Sequence, residues 1–479
     1  MNQRILLVEP GYRNKYPPLG LMKISTYHKM RGDYVQYVKG YDQNIREEIW
    51  DRIYITTLFT FYWKNTIDTI NYYKKSTNSL NNIFVGGIAA TLLKNDVIKE
   101  TGVNVVSGLL DKPGILDIGD RYIIDNLIPD YKILEDSTYE YGVRDAYIGY
   151  ATRGCPRKCD FCAVNKIEPE YIHYLPLKKQ IKGIEEVYGQ KQDLILMDNN
   201  VLASDKFDKI IKDILDLGFY KGAKLNNKKR CLDFNQGTDA RYITKNKMKL
   251  IAKTAIHPLR IAFDFIGMKD IYISKIKLAR DCGILDLSNY VLYNYYDKPE
   301  EFYERLKINI LLNKKYGTKI YSFPMKYVPL DGKDRSAATY VGKHWNRQLL
   351  RGINCILLAT RGMVSPKLDF FEAAFGKNID EFLKIAMMPE EYIINRRKHE
   401  NNGAYDWGKL YNKLSEIQIN QFKEIVSNKK VLESDIKIST SIKMKKFLSH
   451  YIEAERIYQI RRAKKRELVQ YIKDNQQVI

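Results

Sequence analysis

Short apolar runs alternate with amphipathic stretches over the first two-thirds of the chain, and this pattern predicts alternating strands and helices. In the first region, residues 1–140, apolar runs predict strands at 5–8, 35–38, 52–57 and 83–86. Pro17-Pro18-Leu19-Gly20 is typical of a first helical turn, and Gly86-Gly87 predicts a tight turn from strand to helix. This alternation indicates an α/β domain with a doubly wound, Rossmann-like parallel sheet.

The second region, residues 141–330, repeats the alternation. Its apolar runs predict strands at 147–150, 194–197, 232–235, 260–263, 290–292 and 319–323. Its amphipathic stretches predict helices at 206–217, 245–253, 271–281 and 299–315. Six strands are too few for an eight-stranded barrel. In parallel α/β folds ligands bind at the carboxyl ends of the strands, so the polar residues at those ends are the candidates for function.

The third region, residues 331–479, is predicted to be mainly helical, because strand signals are scarce after Val364. From Lys429 to the end the chain carries 13 Lys and Arg residues against 6 Asp and Glu residues, centred on 461–466. Such a basic tail is compatible with a nucleic-acid partner, and equally with a solvated helix face. The formal net charge of +22 adds little to this choice, since Lys, Asn, Ile and Tyr are abundant together throughout the chain.

Composition limits the class of protein. A chain of 479 residues with 45% hydrophobic and 28% charged residues is expected to form two or three globular domains. No apolar run approaches the roughly 18 residues of a spanning helix, and no apolar leader precedes the first predicted strand. The six cysteines do not suggest a disulfide framework. We therefore expect a cytoplasmic protein without a membrane partner.

The most informative motif is a Cys-x-x-x-Cys-x-x-Cys run formed by Cys155, Cys159 and Cys162. Three thiolates so close together are soft ligands, suited to iron–sulfur or zinc. A structural zinc or a fully ligated cluster needs four protein ligands, and no fourth cysteine lies nearby before Cys231. The alternatives are a zinc site completed by His173 and three ordinary buried thiols.

The segment from Arg153 to Cys162, with Phe161 just before the last cysteine, resembles the signature of the radical S-adenosylmethionine (SAM) enzymes. The resemblance implies that the three cysteines hold a 4Fe-4S cluster whose open iron binds SAM. It implies reductive cleavage of SAM to a 5′-deoxyadenosyl radical, which takes a hydrogen atom from a substrate. It also implies a partial six-stranded (β/α)6 barrel in the second region and an external one-electron donor such as a flavodoxin or ferredoxin.

The first region resembles the cobalamin-binding-like domain found in one branch of that superfamily, through Tyr16–Leu21 and Gly86-Gly87. The branch's cobalamin-ligating motif, Asp-x-His-x-x-Gly, is missing. The loop after the first strand, residues 9–14, contains no histidine, and His28 belongs to the following predicted helix. We therefore expect the fold of this domain, and we do not expect cobalamin.

Polar residues at the predicted strand ends are the candidates for binding SAM: Asp198, Asn199, Asn200, Gln236, Asp239, Asp264 and Asn294. Asp198-Asn199-Asn200 stands where the superfamily has Gly-Gly-Glu, which holds the SAM amino group, and these residues equally suit an Asx turn. Asp239 could instead form an internal salt bridge with Arg241. The resemblance implies that Asp264 lies near the ribose hydroxyls and Asn294 near the adenine pocket.

Two functions from different classes remain open. The first is a radical SAM enzyme with one cluster and an unidentified substrate. The second is a nucleic-acid-binding or scaffold protein whose cysteines hold a structural metal. Polar residues at successive strand ends favour the enzyme, because a structural metal does not need them. The sequence does not identify the residues that would act on the substrate.

Overall fold

Strands and helices follow one another in the computed structural model, which describes residues 2–330, 339–428, 431–439 and 441–476. The strands are, in chain order, β1 (Arg4–Glu9), β2 (Tyr34–Lys39), β3 (Arg52–Thr57), β4 (Ile83–Gly87), β5 (Asn104–Val105), β6 (Ala146–Gly149), β7 (Asp193–Leu196), β8 (Lys224–Leu225), β9 (Lys228–Lys229), β10 (Leu232–Phe234), β11 (Leu259–Arg260), β12 (Asp286–Tyr293) and β13 (Lys319–Lys326).

The α-helices include several of a single turn. They are α1 (Leu19–Met30), α2 (Gln43–Glu47), α3 (Trp63–Tyr73), α4 (Ile88–Leu92), α5 (Lys94–Thr101), α6 (Val164–Ile167), α7 (Leu177–Tyr188), α8 (Phe207–Asp216), α9 (Lys245–Ile251), α10 (Lys269–Asp281), α11 (Pro299–Tyr316), α12 (Arg347–Ala359), α13 (Leu368–Phe375), α14 (Ile379–Ala386), α15 (Glu390–Ile394), α16 (Arg396–His399), α17 (Gly403–Tyr411), α18 (Glu416–Asn428), α19 (Glu433–Ile438) and α20 (Ile442–Gln476). Among the described helices, none combines the length and the apolar character that a membrane span requires.

The chain forms two compact units. The first takes in the described residues of Met1–Ala262, Ser274–Leu287 and Val328–Tyr340, and the second those of Phe263–Ile273, Ser288–Tyr327 and Val341–Ile479. The cysteine motif lies in the first unit. Each unit has its own hydrophobic core.

The amino-terminal sheet of the first unit has the strand order β2-β1-β3-β4-β5, and its neighbouring strands are all parallel. The strands predicted at 5–8, 35–38, 52–57 and 83–86 are confirmed as β1 to β4. The predicted tight turn after β4 is confirmed too: Gly87 has φ +97°, and a Cβ there would lie 2.2 Å from the Thr57 carbonyl oxygen. Only glycine fits so close an approach.

A second parallel sheet in the same unit has the order β10-β7-β6. The strand predicted at 260–263 is shorter than expected, because β11 covers only Leu259 and Arg260. After β11, Ile261 forms an isolated parallel bridge with Thr238. Beyond Arg260 the Ala262 N–H donates to the Thr238 carbonyl oxygen at 2.9 Å, whereas the Phe263 N–H donates to the Tyr290 carbonyl oxygen at 3.3 Å. Residues 261–263 therefore bond to two different segments and do not extend a regular ladder.

The second unit pairs β12 with β13 and continues into helices α12 to α20. Both strands are longer than predicted. Its core joins aromatic and aliphatic side chains of β12, α11 and the later helices, among them Tyr293, Phe302, Trp345, Phe371, Phe382, Trp407, Phe422 and Phe447. The mixed α/β fold with parallel sheets and a helical region is therefore as predicted, while the six-stranded barrel and the boundaries at residues 140 and 330 stay predictions.

Candidate cluster and cofactor site

The cysteine loop follows β6 and brings its three thiols to a partly exposed position. Cys155, Cys159 and Cys162 form no disulfide and are half-buried, and the tip between the first two, residues 156–158, is exposed. The Cys162 N–H donates to the Cys159 carbonyl oxygen at 3.0 Å, which turns the last part of the loop back on itself. Thiols presented in this way are accessible to a bound group.

Three thiols in one loop are soft donors of the kind that iron–sulfur clusters and zinc take. Among the described residues, no three His, Cys, Asp or Glu side chains are arranged to hold a metal ion. In a cubane cluster each cysteine thiolate binds a different iron, so the three cysteine sulfurs need not converge on one metal ion. His173, the fourth ligand of the zinc alternative, has Nδ1 at 2.9 Å from Asp205 Oδ1 and accepts from the Asp205 N–H at 3.2 Å.

Asp198, which follows β7, holds the base of the cysteine loop. Its carboxylate is 1% exposed and accepts hydrogen bonds from the Ala151 N–H (3.0 Å), from the Thr152 N–H and from Thr152 Oγ1 (2.6 Å). Burial raises the pKa of Asp198 to about 6, although these hydrogen bonds oppose the shift. The partners of Asp198 are thus groups of the loop.

Asn199 and Asn200 also turn towards the cysteine loop. Asn199 Nδ2 donates to Glu168 Oε2 at 2.8 Å, and Asn200 Nδ2 donates to Cys155 Sγ at 3.3 Å. Asn200 is 3% exposed, and its Oδ1 is buried with no hydrogen-bond partner. Asn200 precedes the 3₁₀ turn Val201–Ala203, but its side chain does not cap it. A buried acceptor without a donor costs about 1–3 kcal/mol, so this oxygen suits a donor on a bound molecule.

The cluster of polar residues after β10 divides into exposed and internally paired groups. Gln236 is exposed. Asp239 forms the internal salt bridge that the sequence left open, with its Oδ1 at 2.8 Å from Arg241 Nε and its Oδ2 at 2.7 Å from Arg241 Nη2. Asn235 is buried, and its Oδ1 accepts a hydrogen bond from the Tyr16 hydroxyl. Of the predicted residues here, Gln236 has its side chain directed to solvent.

Asp264 and Asn294 belong to the second unit. The Asp264 carbonyl oxygen accepts from Arg305 Nη1 at 2.6 Å, and its side chain is half-buried. Asn294 is fully buried with φ +68°, and its amide bridges backbone groups, donating to the Tyr327 carbonyl oxygen (3.1 Å) and accepting from the Gly342 N–H (2.8 Å). Asp198, Asn199 and Asn200 therefore lie beside the cysteine loop in the first unit. Asp264 and Asn294 lie in the second unit.

Sequence reasoning missed a buried group of charges beside the cysteine loop. Arg153 Nη1 donates to Glu168 Oε1 at 3.0 Å, and Arg153 also forms an ion pair with Asp125, which Lys23 Nζ contacts at 2.9 Å. The guanidinium carbon of Arg153 lies 3.5 Å from the centre of the Tyr150 ring. Burial opposes the charge of Asp125, but Lys23 and Arg153 together outweigh it and lower the pKa of Asp125. Single charged residues in unrelated segments carry no sequence pattern that would have revealed this group.

Comparison with solved structures identifies proteins of similar fold. The chain is similar to the radical SAM methyltransferase TsrM from Kitasatospora setae, solved with cobalamin and a [4Fe-4S] cluster, with a TM-score of 0.51 and 13% identity over 74% of this chain and 78% of that one. A second TsrM structure, with tryptophan and a SAM analogue, gives a TM-score of 0.50 and 14% identity over 73% and 76% of the two chains. The fold of this chain is therefore similar to the fold of these radical SAM methyltransferases.

Sequence comparison adds less. No family model matches the chain. A stretch of 115 residues is 31% identical to the PurL subunit of phosphoribosylformylglycinamidine synthase from Campylobacter jejuni subsp. doylei, and 30% identical to that of Campylobacter jejuni strain RM1221. The match covers 23% of this chain and only 16% of either PurL protein, so it carries no argument about function.

The TsrM structure contains cobalamin, so the amino-terminal domain of this chain can be tested for the residues that would hold one. At the end of β1, Glu9 is fully buried, with Oε1 at 2.8 Å from Lys39 Nζ and Oε2 accepting hydrogen bonds from the hydroxyls of Tyr37 (2.7 Å) and Tyr141. His28 in α1 is equally buried, with Nδ1 at 2.7 Å from Asp33 Oδ2. These residues do not fit a histidine-ligated cobalamin, because the loop has no histidine and His28 is engaged inside the domain.

Proposed function

We propose that the chain is a radical SAM enzyme in which Cys155, Cys159 and Cys162 hold a 4Fe-4S cluster. The observation that carries the proposal is the close association of the three-cysteine loop with the turn after the neighbouring parallel strand. When bound, the cluster and SAM supply reductive cleavage of SAM to methionine and a 5′-deoxyadenosyl radical for hydrogen abstraction from a substrate.

The residues of this chain have distinct tasks in the proposal. The three thiolates each bind one iron. Asn200 Nδ2 donates to Cys155 Sγ, and hydrogen bonds to cluster sulfurs help set the reduction potential. Asn200 Oδ1, buried and without a partner, would accept from the SAM ammonium group. Gln236, exposed at the next strand end, would contact another polar part of SAM.

Further parts of the proposal rest on the fold and the motif. An external one-electron donor, such as a flavodoxin or ferredoxin, would reduce the cluster. The partial six-stranded barrel predicted for residues 141–330 is also part of the proposal. We propose that the amino-terminal domain does not use a histidine-ligated cobalamin, on the evidence of Glu9 and His28. This remains compatible with the fold likeness to TsrM, since fold alone does not determine which cofactor binds.

A nucleic-acid partner is the second candidate, and the basic tail supports it. Arg462, Lys464 and Arg466 on α20 are exposed and available to phosphates. Arg461 is different, because its Nη1 contacts Oε1 of the buried Glu391 at 2.7 Å. The tail is thus anchored at Arg461 and charged beyond it, which suits an enzyme that acts on nucleic acid as well as a binding protein.

The deciding experiment is SAM cleavage by the full chain, reconstituted anaerobically with iron and sulfide and reduced with dithionite. We expect 5′-deoxyadenosine by mass spectrometry from the native protein and from Cys282→Ala, a half-buried cysteine outside the motif. We expect none from Cys155→Ala. Equal product from Cys155→Ala, or bound zinc with no iron chromophore in the native protein, would overturn the proposal.

A further inference from the structure

Glu168 lies outside the cysteine motif, yet its carboxylate contacts both halves of the proposed site. Oε2 accepts from the Gly154 N–H at 2.6 Å and from Asn199 Nδ2 at 2.8 Å. Oε1 accepts from Arg153 Nη1 at 3.0 Å. The side chain of Glu168 is 8% exposed, so these protein donors, and not water, surround it. One carboxylate therefore joins the backbone just before Cys155 to the turn after β7.

The backbone at Gly154 is shaped for this contact. Gly154 has φ +68°, and a Cβ at this position would lie 2.2 Å from the Glu170 carbonyl oxygen. No other residue type adopts this conformation at so little cost. Because Gly154 directly precedes Cys155, the direction of the backbone at the first cysteine depends on where the Gly154 N–H is held.

Arg153 fixes the other oxygen of Glu168. Its guanidinium is held between the carboxylates of Glu168 and Asp125, and it lies over the ring of Tyr150. Asp125 is in turn paired with Lys23 of α1. If Glu168 rotated away from the loop, Arg153 would keep only Asp125 as a partner, and the Gly154 N–H and Asn199 Nδ2 would lose their acceptor.

We propose that Glu168 is a positioning residue that locks the cysteine loop to the turn Asp198–Asn200, and so sets the affinity of the site for SAM. This inference rests on the proposed function. Glu168 does not contact the cysteine sulfurs, and it acts through Gly154 and Asn199. The clamp keeps Asn200 Nδ2 against Cys155 Sγ, and Asn200 Oδ1 would then be held ready to accept from the ammonium group of bound SAM.

The carboxylate is needed because Glu168 faces donors on both sides. Glu168→Gln keeps the shape but places an NH2 group against either Arg153 or the pair formed by Gly154 and Asn199. A tenfold change in an equilibrium constant corresponds to about 1.4 kcal/mol, which is no more than the loss of one hydrogen bond to a charged group. We therefore expect Glu168→Gln to weaken SAM binding by about tenfold or more.

The first experiment compares the native protein, Glu168→Gln and the matched control Glu170→Gln, whose side chain is exposed two residues away. SAM affinity is measured on the reconstituted proteins from the change that SAM causes in the EPR spectrum of the reduced cluster. We expect equal iron content in all three proteins, native affinity in Glu170→Gln and the tenfold loss only in Glu168→Gln. Equal affinity in all three would overturn the proposal.

The second experiment needs no cluster and covers the case in which Glu168→Gln loads iron poorly. Hydrogen–deuterium exchange of the apoprotein is followed in peptides covering 151–160 and 196–202. We expect faster exchange in both peptides for Glu168→Gln, because the two segments share one clamp. Faster exchange in neither peptide, or in the loop peptide alone, would contradict the clamp.

A double-mutant cycle separates positioning from direct contact with SAM. If Asn199 acts through Glu168, the double variant Glu168→Gln/Asn199→Ala binds SAM no more weakly than Glu168→Gln alone. Additive losses would mean that Asn199 contacts SAM itself and would overturn the clamp as the reason for its effect. A native protein that loads no cluster and cleaves no SAM would defeat the proposed function, whereas coupled exchange of the two peptides would still support the clamp.

Discussion

Replacing Asp198 by Asn tests how burial controls the base of the cysteine loop. The carboxylate is almost completely buried and accepts from two backbone N–H groups, of Ala151 and Thr152, and from the Thr152 hydroxyl. Burial nevertheless dominates, and it raises the pKa of Asp198 from 3.8 to about 6. The ionised form is therefore less favourable in the closed loop than in an opened loop exposed to water.

The sign and size of the effect follow from this shift. The pKa is higher in the closed state. Between pH 3.8 and 6 the carboxyl group is therefore protonated in the closed loop base and ionised in the opened state. The contribution of Asp198 to stability is complete below pH 3.8 and is lost as the pH rises through 6. A shift of this size corresponds to about 3 kcal/mol, to order of magnitude.

Hydrogen–deuterium exchange of the peptide covering 146–154 in the apoprotein, from about pH 4 to pH 7.5, measures this directly. After correction for the intrinsic exchange rate, we expect the opening free energy of the native peptide to fall by up to about 3 kcal/mol across this window. In Asp198→Asn this part of the pH dependence should disappear. Asp208→Asn, an exposed aspartate on α8, should behave as the native protein does.

Two results would refute the reasoning about Asp198. If the opening free energies of the native protein and of Asp198→Asn run parallel over the whole pH range, Asp198 does not titrate there. If the native opening free energy rises with pH and this rise is lost in Asp198→Asn, the hydrogen bonds to the carboxylate outweigh its burial and the pKa is lowered.

Two further predictions concern the sulfur ligand and the tail. Asn200→Leu removes both the N–H donated to Cys155 Sγ and the buried Oδ1. SAM affinity should therefore fall at least about tenfold, and the cluster potential should become more negative in an EPR-monitored redox titration. An unchanged potential and an unchanged affinity would contradict this prediction. Replacing Arg462, Lys464 and Arg466 by Gln should leave SAM cleavage unchanged. If the tail contacts phosphates, the same change should reduce the retention of the protein on immobilised RNA and the salt dependence of that retention. Unchanged retention would exclude these residues from nucleic-acid binding.

The sequence predicted the parts of the fold that follow a regular pattern. Strands β1 to β4 were placed by apolar runs, and Gly86-Gly87 by the need for a close approach between strand and helix. The strand near Arg260 was overestimated, because an apolar run does not show that the residues after Arg260 bond to two different segments instead of one neighbouring strand. Glu168 left no signal, since its role depends on a left-handed Gly154 and on Asn199, which a linear pattern does not bring together.

In the proposed SAM site, Asp198-Asn199-Asn200 after β7 stands in place of Gly-Gly-Glu, and this changes how the SAM ammonium would be held. A carboxylate at the third position would attract the SAM ammonium by charge, over a range of orientations. Asn200 is neutral and offers one oxygen, while its nitrogen is already directed at Cys155. Hydrogen bonds weaken steeply away from linear geometry, so an amide acceptor is effective only when its orientation is fixed. A chain that replaces the glutamate by asparagine therefore needs a rigid support for that turn, and the buried carboxylates of Asp198 and Glu168 supply one on either side of the loop.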